Sequence, residues 1–268
     1  MKSFGILAAI AAGSLFAHDL YLMPAKFTVK PGDRLTVAIH NGDAFPEPEN
    51  SPVLNRLRDV KLGNAPVRGL RDLQNKATGE VTVGGKGTFI LTTRTIPSFI
   101  ELKPAEFENY LIEESLDHVR QYRQEHNESS KPGRERYAKF AKAIVTSGTP
   151  DDGYRKPAGF AIEFIPEQNP ATLKTGDELT VQVLHDGKPS FNLSVEASNE
   201  SETKIVGRLD SSGRIRIPIT RAGRWRLHTV AMRRAAQPKA NGDASEDALK
   251  QAADWESFWA SLTFEVHP

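Results

Sequence analysis

Cysteine is absent from all 268 residues. Its absence excludes a lipid-anchored cysteine, disulfides, zinc–thiolate clusters and thiol nucleophiles together. With thiolates excluded, a metal site is expected to be assembled from imidazole, carboxylate or a terminal amine. An excess of charge is lacking too: 35 Lys and Arg stand against 34 Asp and Glu. No field is left to attract nucleic acid or an anionic membrane. No apolar run reaches the ~20 residues a bilayer span requires. The GxSxG elbow, the HExxH pair, a phosphate-binding glycine loop and EF-hand spacing are all missing, so hydrolase and glycan-binding readings find little support.

What is present begins at the amino terminus. "MKSFGILAAIAAGSLFA" has a positive residue, Lys2, then an apolar stretch from Phe4 to Ala12, then small residues ending in Ala17. This three-part order predicts a signal peptide over residues 1–17, cleaved after Ala17, and a periplasmic location. The mature chain then starts "HDLYLMP", with His18 first.

The mature sequence contains an echo. "FTVKPGDRLTVAIHNGD" at Phe27 to Asp43 resembles "ATLKTGDELTVQVLHDG" at Ala171 to Gly187. Each has a Gly–Asp turn followed by period-two alternation, Leu35, Val37, Ile39 in one and Leu179, Val181, Val183 in the other. The pattern predicts a mainly β protein of two β-sandwich (Ig-like) modules, over residues 18–102 and 157–268. Hairpins are expected about Gly84–Gly85 and through the meander "LDSSGRIRIPITRAGRWRLHTV". Between the modules, Phe107, Tyr110, Leu111, Leu116 and Val119 fall at helical spacing after Pro104. "RERYAKFAKAIVTSG" reads as a second helix, with Arg134, Arg136 and Lys139 on a solvated face. A helical hairpin is therefore expected over 103–148. The polar segment "AAQPKANGDASEDALKQAAD" reads as a long loop.

If His18 is the first residue, its α-amine and Nδ1 can chelate one ion. A second imidazole opposite would complete a histidine brace, three nitrogens in a geometry suited to Cu(II) and Ni(II). The candidates for that imidazole are His40 and His228. His40 ends "LTVAIH" on the face opposite Val37 and Ile39, and His228 lies opposite Trp225 and Leu227, so neither has the parity of a core residue. His118 and His126 read as solvated, and His185 and His267 as without special role. Asp19 and Asp43 are expected to orient the ligands by hydrogen bonding. Glu47 and Glu49, in "NGDAFPEPEN", read as a charged surface loop.

Together, "HDLYLMP", "IHNGDAFPE", "YLIEESLDHVRQYR", "RERYAKFAKAIV", "GFAIEFIPEQNPATLKTGDELTVQVLHDGKP", "RAGRWRLHTVAM" and "WASLTFEV" resemble a bacterial family of exported proteins of unknown function, labelled nickel-uptake-transporter-like. Its kinship with the N-terminal metal-binding component of nickel and cobalt uptake systems implies a periplasmic sandwich fold and transition-metal binding. On the matching positions, His18 carries over as a metal residue with His40 as its partner. The chain departs from that component in lacking its membrane segment. The expectation is a periplasmic protein that binds Ni(II), Co(II) or Cu(II) through His18 and either His40 or His228. It would serve metal uptake or handling, with a membrane metal transporter as partner. A copper oxidase-like enzyme built on the same brace, and a metal-free sandwich interaction module, are the alternatives.

Overall fold

The computed structural model describes residues 18–236 and 252–268. The expected signal segment over 1–17 and most of the polar loop lie outside the described residues. The first part of the chain supplies β1 (Leu20–Pro24), β2 (Thr28–Val29), β3 (Arg34–Asn41), β4 (Leu57–Leu62), β5 (Ala65–Pro66), β6 (Arg68–Asp72), β7 (Ala77–Thr82), β8 (Gly87–Thr95) and β9 (Ser98–Leu102). Helices α1 (Pro104–Glu113) and α2 (Asp117–Glu125) follow, then the long strand β10 (Gly133–Ser147). The remainder contains β11 (Ile162–Pro166), β12 (Glu178–His185), β13 (Lys188–Pro189), β14 (Ser194–Asn199), β15 (Thr203–Arg208), β16 (Arg214–Pro218), β17 (Gly223–Arg234) and β18 (Trp255–Val266).

Three sheets stack as two sandwiches that share their middle layer. The first sheet has the order β1-β3-β7-β6, and the third joins β11, β12 and β13, with β16 also on β12. Between them runs one ten-stranded sheet, β15-β14-β17-β18-β10-β8-β4-β5, with β2 and β9 also paired to β10. One core lies between the first sheet and β4, β8 and β10, and includes Val37, Ile39, Leu91, Ala141 and Val145. A second lies between the third sheet and the other half of the middle sheet, and includes Phe140, Ile162, Val181, Leu227 and Phe264. A third sits under the helices, where Phe107, Tyr110 and Leu111 pack with Val230, Met232, Trp255 and Trp259.

The sequence echo is a structural repeat. Gly32 and Gly176 both adopt positive φ, at 89° and 99°. Asp33 and Asp177 each accept a hydrogen bond from the amide three residues earlier, Lys30 at 2.9 Å and Lys174 at 2.8 Å. Each turn is then clasped by a neighbouring strand: Val83 donates to the Asp33 carbonyl and Ile219 to that of Asp177, both at 2.9 Å. In the same way, β1 pairs β3 as β11 pairs β12, Leu20 opposite Asn41 and Ile162 opposite His185.

Three expectations are corrected. The helical hairpin exists, but it ends at Glu125; "RERYAKFAKAIV" is β10, the central strand of the middle sheet. Both faces of β10 are buried, Ala138, Phe140 and Ile144 in one core and Ala141, Ala143 and Val145 in the other. A strand apolar on both sides loses period-two alternation and imitates a helix. For the same reason Arg136 and Lys139 are buried, not on a solvated face. The glycine turns between β7 and β8, and between β15, β16 and β17, do not make hairpins. They carry the chain from one sheet to another, since β7 pairs β3 and β6 while β8 pairs β4 and β10, and β16 pairs β12.

Candidate metal centre

Strand β1 lies across the middle sheet, pinned by its own carbonyls. Ser261 donates to the Leu20 carbonyl at 2.6 Å and Thr263 to that of Leu22 at 2.5 Å. The β1–β3 ladder continues one rung beyond the strand, where Gly42 donates to the Asp19 carbonyl at 2.9 Å. His18 and Asp43 are therefore opposite each other on the next rung, and their side chains meet, His18 Nδ1 to Asp43 Oδ2 at 2.9 Å. The other Asp43 oxygen accepts the Asp19 amide at 3.3 Å. Asp43 is held in turn by its loop. The Glu49 carboxylate accepts the Asp43 amide and the Ala44 amide, the latter at 2.8 Å, and the Tyr21 hydroxyl donates to the Ala44 carbonyl at 2.7 Å. Gly42 is needed here because a Cβ would strike the Glu49 carboxylate.

Residue 19 points the other way, into the middle sheet. Its carboxylate stands 3.2 Å from Arg226 Nη1 and 2.6 Å from His228 Nδ1. The other His228 nitrogen, Nε2, is 3.0 Å from Glu114 Oε2 at the end of α1. Arg226 also reaches the Asp43 carbonyl, Ser198 and Glu196 at 3.2–3.3 Å. Lys139 comes up from β10 to donate to the His18 carbonyl and, at 3.1 Å, to Asn41 Oδ1. Deeper still, the Glu135 carboxylate accepts from Ser257 and, at 3.1 Å, from Tyr110.

These groups are buried, and their charges follow from their partners. Burial alone would raise the Asp19 carboxyl, but His228 and Arg226 outweigh it and hold the group below its ordinary range. Burial would likewise lower His228, yet Asp19 and Glu114 push it well above the usual value for histidine. Burial raises Glu114 despite His228. Lys139 is lowered to about 8 by burial, against the pull of Asp19, Asp43, Glu114 and Glu135. Burial raises Glu135 to about 7, against the hydrogen bonds from Ser257 and Tyr110.

Of the five residues singled out in the sequence, the structure brings His18 to Asp43 and His228 to Asp19. His228 is an imidazolium clamped between two carboxylates, so neither nitrogen offers a lone pair to a metal. His40 is buried under Tyr21, ring centroids 4.7 Å apart, and is held at about 4 mainly by burial and further by Lys76. It sits three rungs along the ladder from Asp43, about 10 Å at the rise of a strand. Both histidines are thus buried, at 3% and 8% exposure, although their strand parity pointed away from the core. The parity argument missed that their face is covered as well, His40 beneath the 43–49 loop and His228 beneath α1. Glu49, expected in a charged surface loop, is exposed there and also braces the Asp43 loop. Lys139 was expected on a solvated face, and Arg226, Glu114 and Glu135 were not assigned to the site. The legible signal for them is a charged residue inside a long, otherwise apolar strand, as in "KFAKAIV".

Among the described residues no three His, Asp or Glu side chains gather to hold a metal ion. A three-ligand site at His18 would need a donor beyond His18 Nδ1 and Asp43. The α-amine of a chain beginning at His18 is such a donor, and with Nδ1 and Asp43 it makes three.

The chain belongs to a family defined by a domain of unknown function, DUF4198, whose model matches residues 15–233. No functionally curated protein matches it. Among solved structures, it is similar to the D0-D1 domain of intimin at 14% identity and a TM-score of 0.25, covering 92% of this chain and 98% of that one. The Yersinia pseudotuberculosis adhesin InvE matches at 12% identity and a TM-score of 0.23, with 93% of this chain and 59% of that one covered. The Escherichia coli adhesin FdeC matches at 15% and 0.22, with 94% and 64% covered.

Proposed function

We propose that this is a periplasmic transition-metal binding protein whose mature chain begins at His18. Its ion, Cu(II), Ni(II) or Co(II), is held by the His18 α-amine, His18 Nδ1 and the Asp43 carboxylate. The observation that carries this reading is the 2.9 Å meeting of His18 Nδ1 and Asp43 Oδ2 on one rung of the ladder. A hydrogen bond shared by an imidazole and a carboxylate is a place where a cation can replace the proton. Asp43 thus takes the role of ligand, and His228 that of a fixed counter-charge which holds Asp19 and the chain end. Lys139 fixes the His18 carbonyl, so the amine and the ring are pre-positioned and little ordering is left to oppose binding. Two nitrogens and a carboxylate suit divalent ions late in the first row, and in open competition copper binds most tightly. Uptake or handling of the ion, with a membrane metal transporter as partner, follows from the family resemblance.

The reading is tested by Cu(II) and Ni(II) titration of protein whose first residue is His18. One ion per chain is expected, and Asp43→Asn should weaken binding about tenfold or more, the cost of one charged ligand. Equal affinity in Asp43→Asn would remove the carboxylate from the site. No binding in either protein would sink the function.

A further inference from the structure

A second feature of the β1–β3 ladder points to a different ion. Outside the first sheet, beneath the proline-rich loop, lies a cavity of about 290 Å³ whose walls include Met23, His40, Glu47, Lys76, Arg224 and Glu265. Tyr21 is opposite His40 and Met23 opposite Ala38, so Met23 and His40 are diagonal neighbours on one face. Long side chains at that spacing reach each other. His40 is 3% exposed, yet its Nδ1 has no hydrogen-bond partner. A buried polar atom without a partner keeps its full desolvation cost, which makes it a place where a ligand gains by binding. The ring is neutral near pH 7, since burial and then Lys76 disfavour its protonation.

The charges of the cavity select among ions. Its walls carry two carboxylates, Glu47 and Glu265, and two cations, Lys76 and Arg224, the latter paired at 2.7 Å with Glu200, so a hard divalent cation entering it meets positive groups as well as negative ones. What remains is a thioether and a neutral imidazole, the ligand types of soft monovalent copper. We propose that Met23 Sδ and His40 bind one Cu(I) in this cavity. The chain has no cysteine and three methionines, Met1, Met23 and Met232. Met1 precedes the proposed cleavage point, and Met232 is packed under the helices and does not line this cavity; Met23, though 7% exposed and packed in the first core, does line it and is the sulfur within its reach. The site stands apart from His18 by about 10 Å of strand and does not involve the terminal amine.

Ag(I), a redox-inert ion of the same softness, is the probe. It is titrated in chloride-free buffer into protein beginning at His18 and into protein with one extra residue before it, followed by native mass spectrometry and by the Met methyl NMR signals. The expected result is one Ag(I) per chain in both proteins, with the Met23 methyl shifted. Met23→Leu, which conserves volume and leaves the core packed, should lose at least tenfold in affinity. His40→Gln should do the same, and Met232→Leu should bind as the parent does. Anaerobic competition with a chromogenic Cu(I) chelator should give the same order of variants. Absence of Ag(I) uptake, undiminished affinity in Met23→Leu, or loss of binding in the extended protein would each overturn the site. The last result would place the silver at His18 and leave the divalent site untouched.

Discussion

Asp19 is a carboxylate removed from water, and it survives as an anion because Arg226 and His228 touch it. Removing one member of such a group leaves a buried charge without its partner, a loss of about 3–5 kcal/mol. His228→Gln should therefore destabilise the fold by about that amount in denaturant unfolding. It should also raise hydrogen exchange at the Leu20 and Leu22 amides. A change below about 1 kcal/mol would mean that Arg226 alone suffices. Two other buried residues, Glu135 and His40, give stability pH dependences of opposite sign. Glu135 is raised from 4.5 to about 7, so the folded chain keeps a proton that the unfolded chain releases between those values. Its contribution to stability is present below pH 4.5 and is lost as pH rises through 7, about 3 kcal/mol in all. His40 is lowered from 6.5 to about 4, so its contribution is present above 6.5 and is lost as pH falls through 4. In Glu135→Gln the falling limb should vanish, leaving stability relative to wild type higher at pH 8 than at pH 4. Parallel pH profiles for the two proteins would contradict this assignment.

At the scale of elements, α1 and β10 are matched by a residue with no side chain. Gly133 opens β10 directly against the Phe107 ring, and a Cβ there would run into it. Gly133→Ala should cost about 1–3 kcal/mol through overpacking, measured by thermal unfolding. A neutral effect would show that α1 can shift off the sheet freely. The same strand explains what could be read in advance and what could not. β3 and β12 were legible because one face of each is apolar and a Gly–Asp turn marks the entrance. β10 was not, because both its faces are buried and its pattern has no period of two. The turns at Gly84–Gly85 and Ser212–Gly213 were legible as turns, but turn chemistry is local and does not say which sheet receives the next strand. His18 and Asp43 could be picked out from the histidine that follows the expected signal segment and from the "HNGD" run. Their pairing depends on register across 25 residues. Lys139, Arg226 and Glu114 reach the site from strands and a helix more than 70 residues further along. No local pattern brings them together.

Across the whole molecule, one architecture is used twice and its chemistry once. Two residues before Leu20 and two after Asn41 stand His18 and Asp43; the matching positions around Ile162 and His185 are Phe160 and Gly187. The second sandwich repeats the ladder down to its extra rung, where Asp186 donates to the Ala161 carbonyl at 2.7 Å as Gly42 does to Asp19. It carries no ligand there. The middle sheet supplies instead the buried cations that fix the first repeat's chain end, Lys139 from β10 and Arg226 and His228 from β17. On the proposed function, the double sandwich serves as the mount for a chain end at His18. The most direct test of that account is Cu(II) affinity by competitive titration, in protein whose first residue, verified by mass, is His18 with its α-amine either free or acetylated. A secondary amide in place of the α-amine removes one of three donors, so the account predicts one tight Cu(II) in the free form and at least a hundredfold weaker binding in the acetylated form. Equal affinity in the two would contradict it.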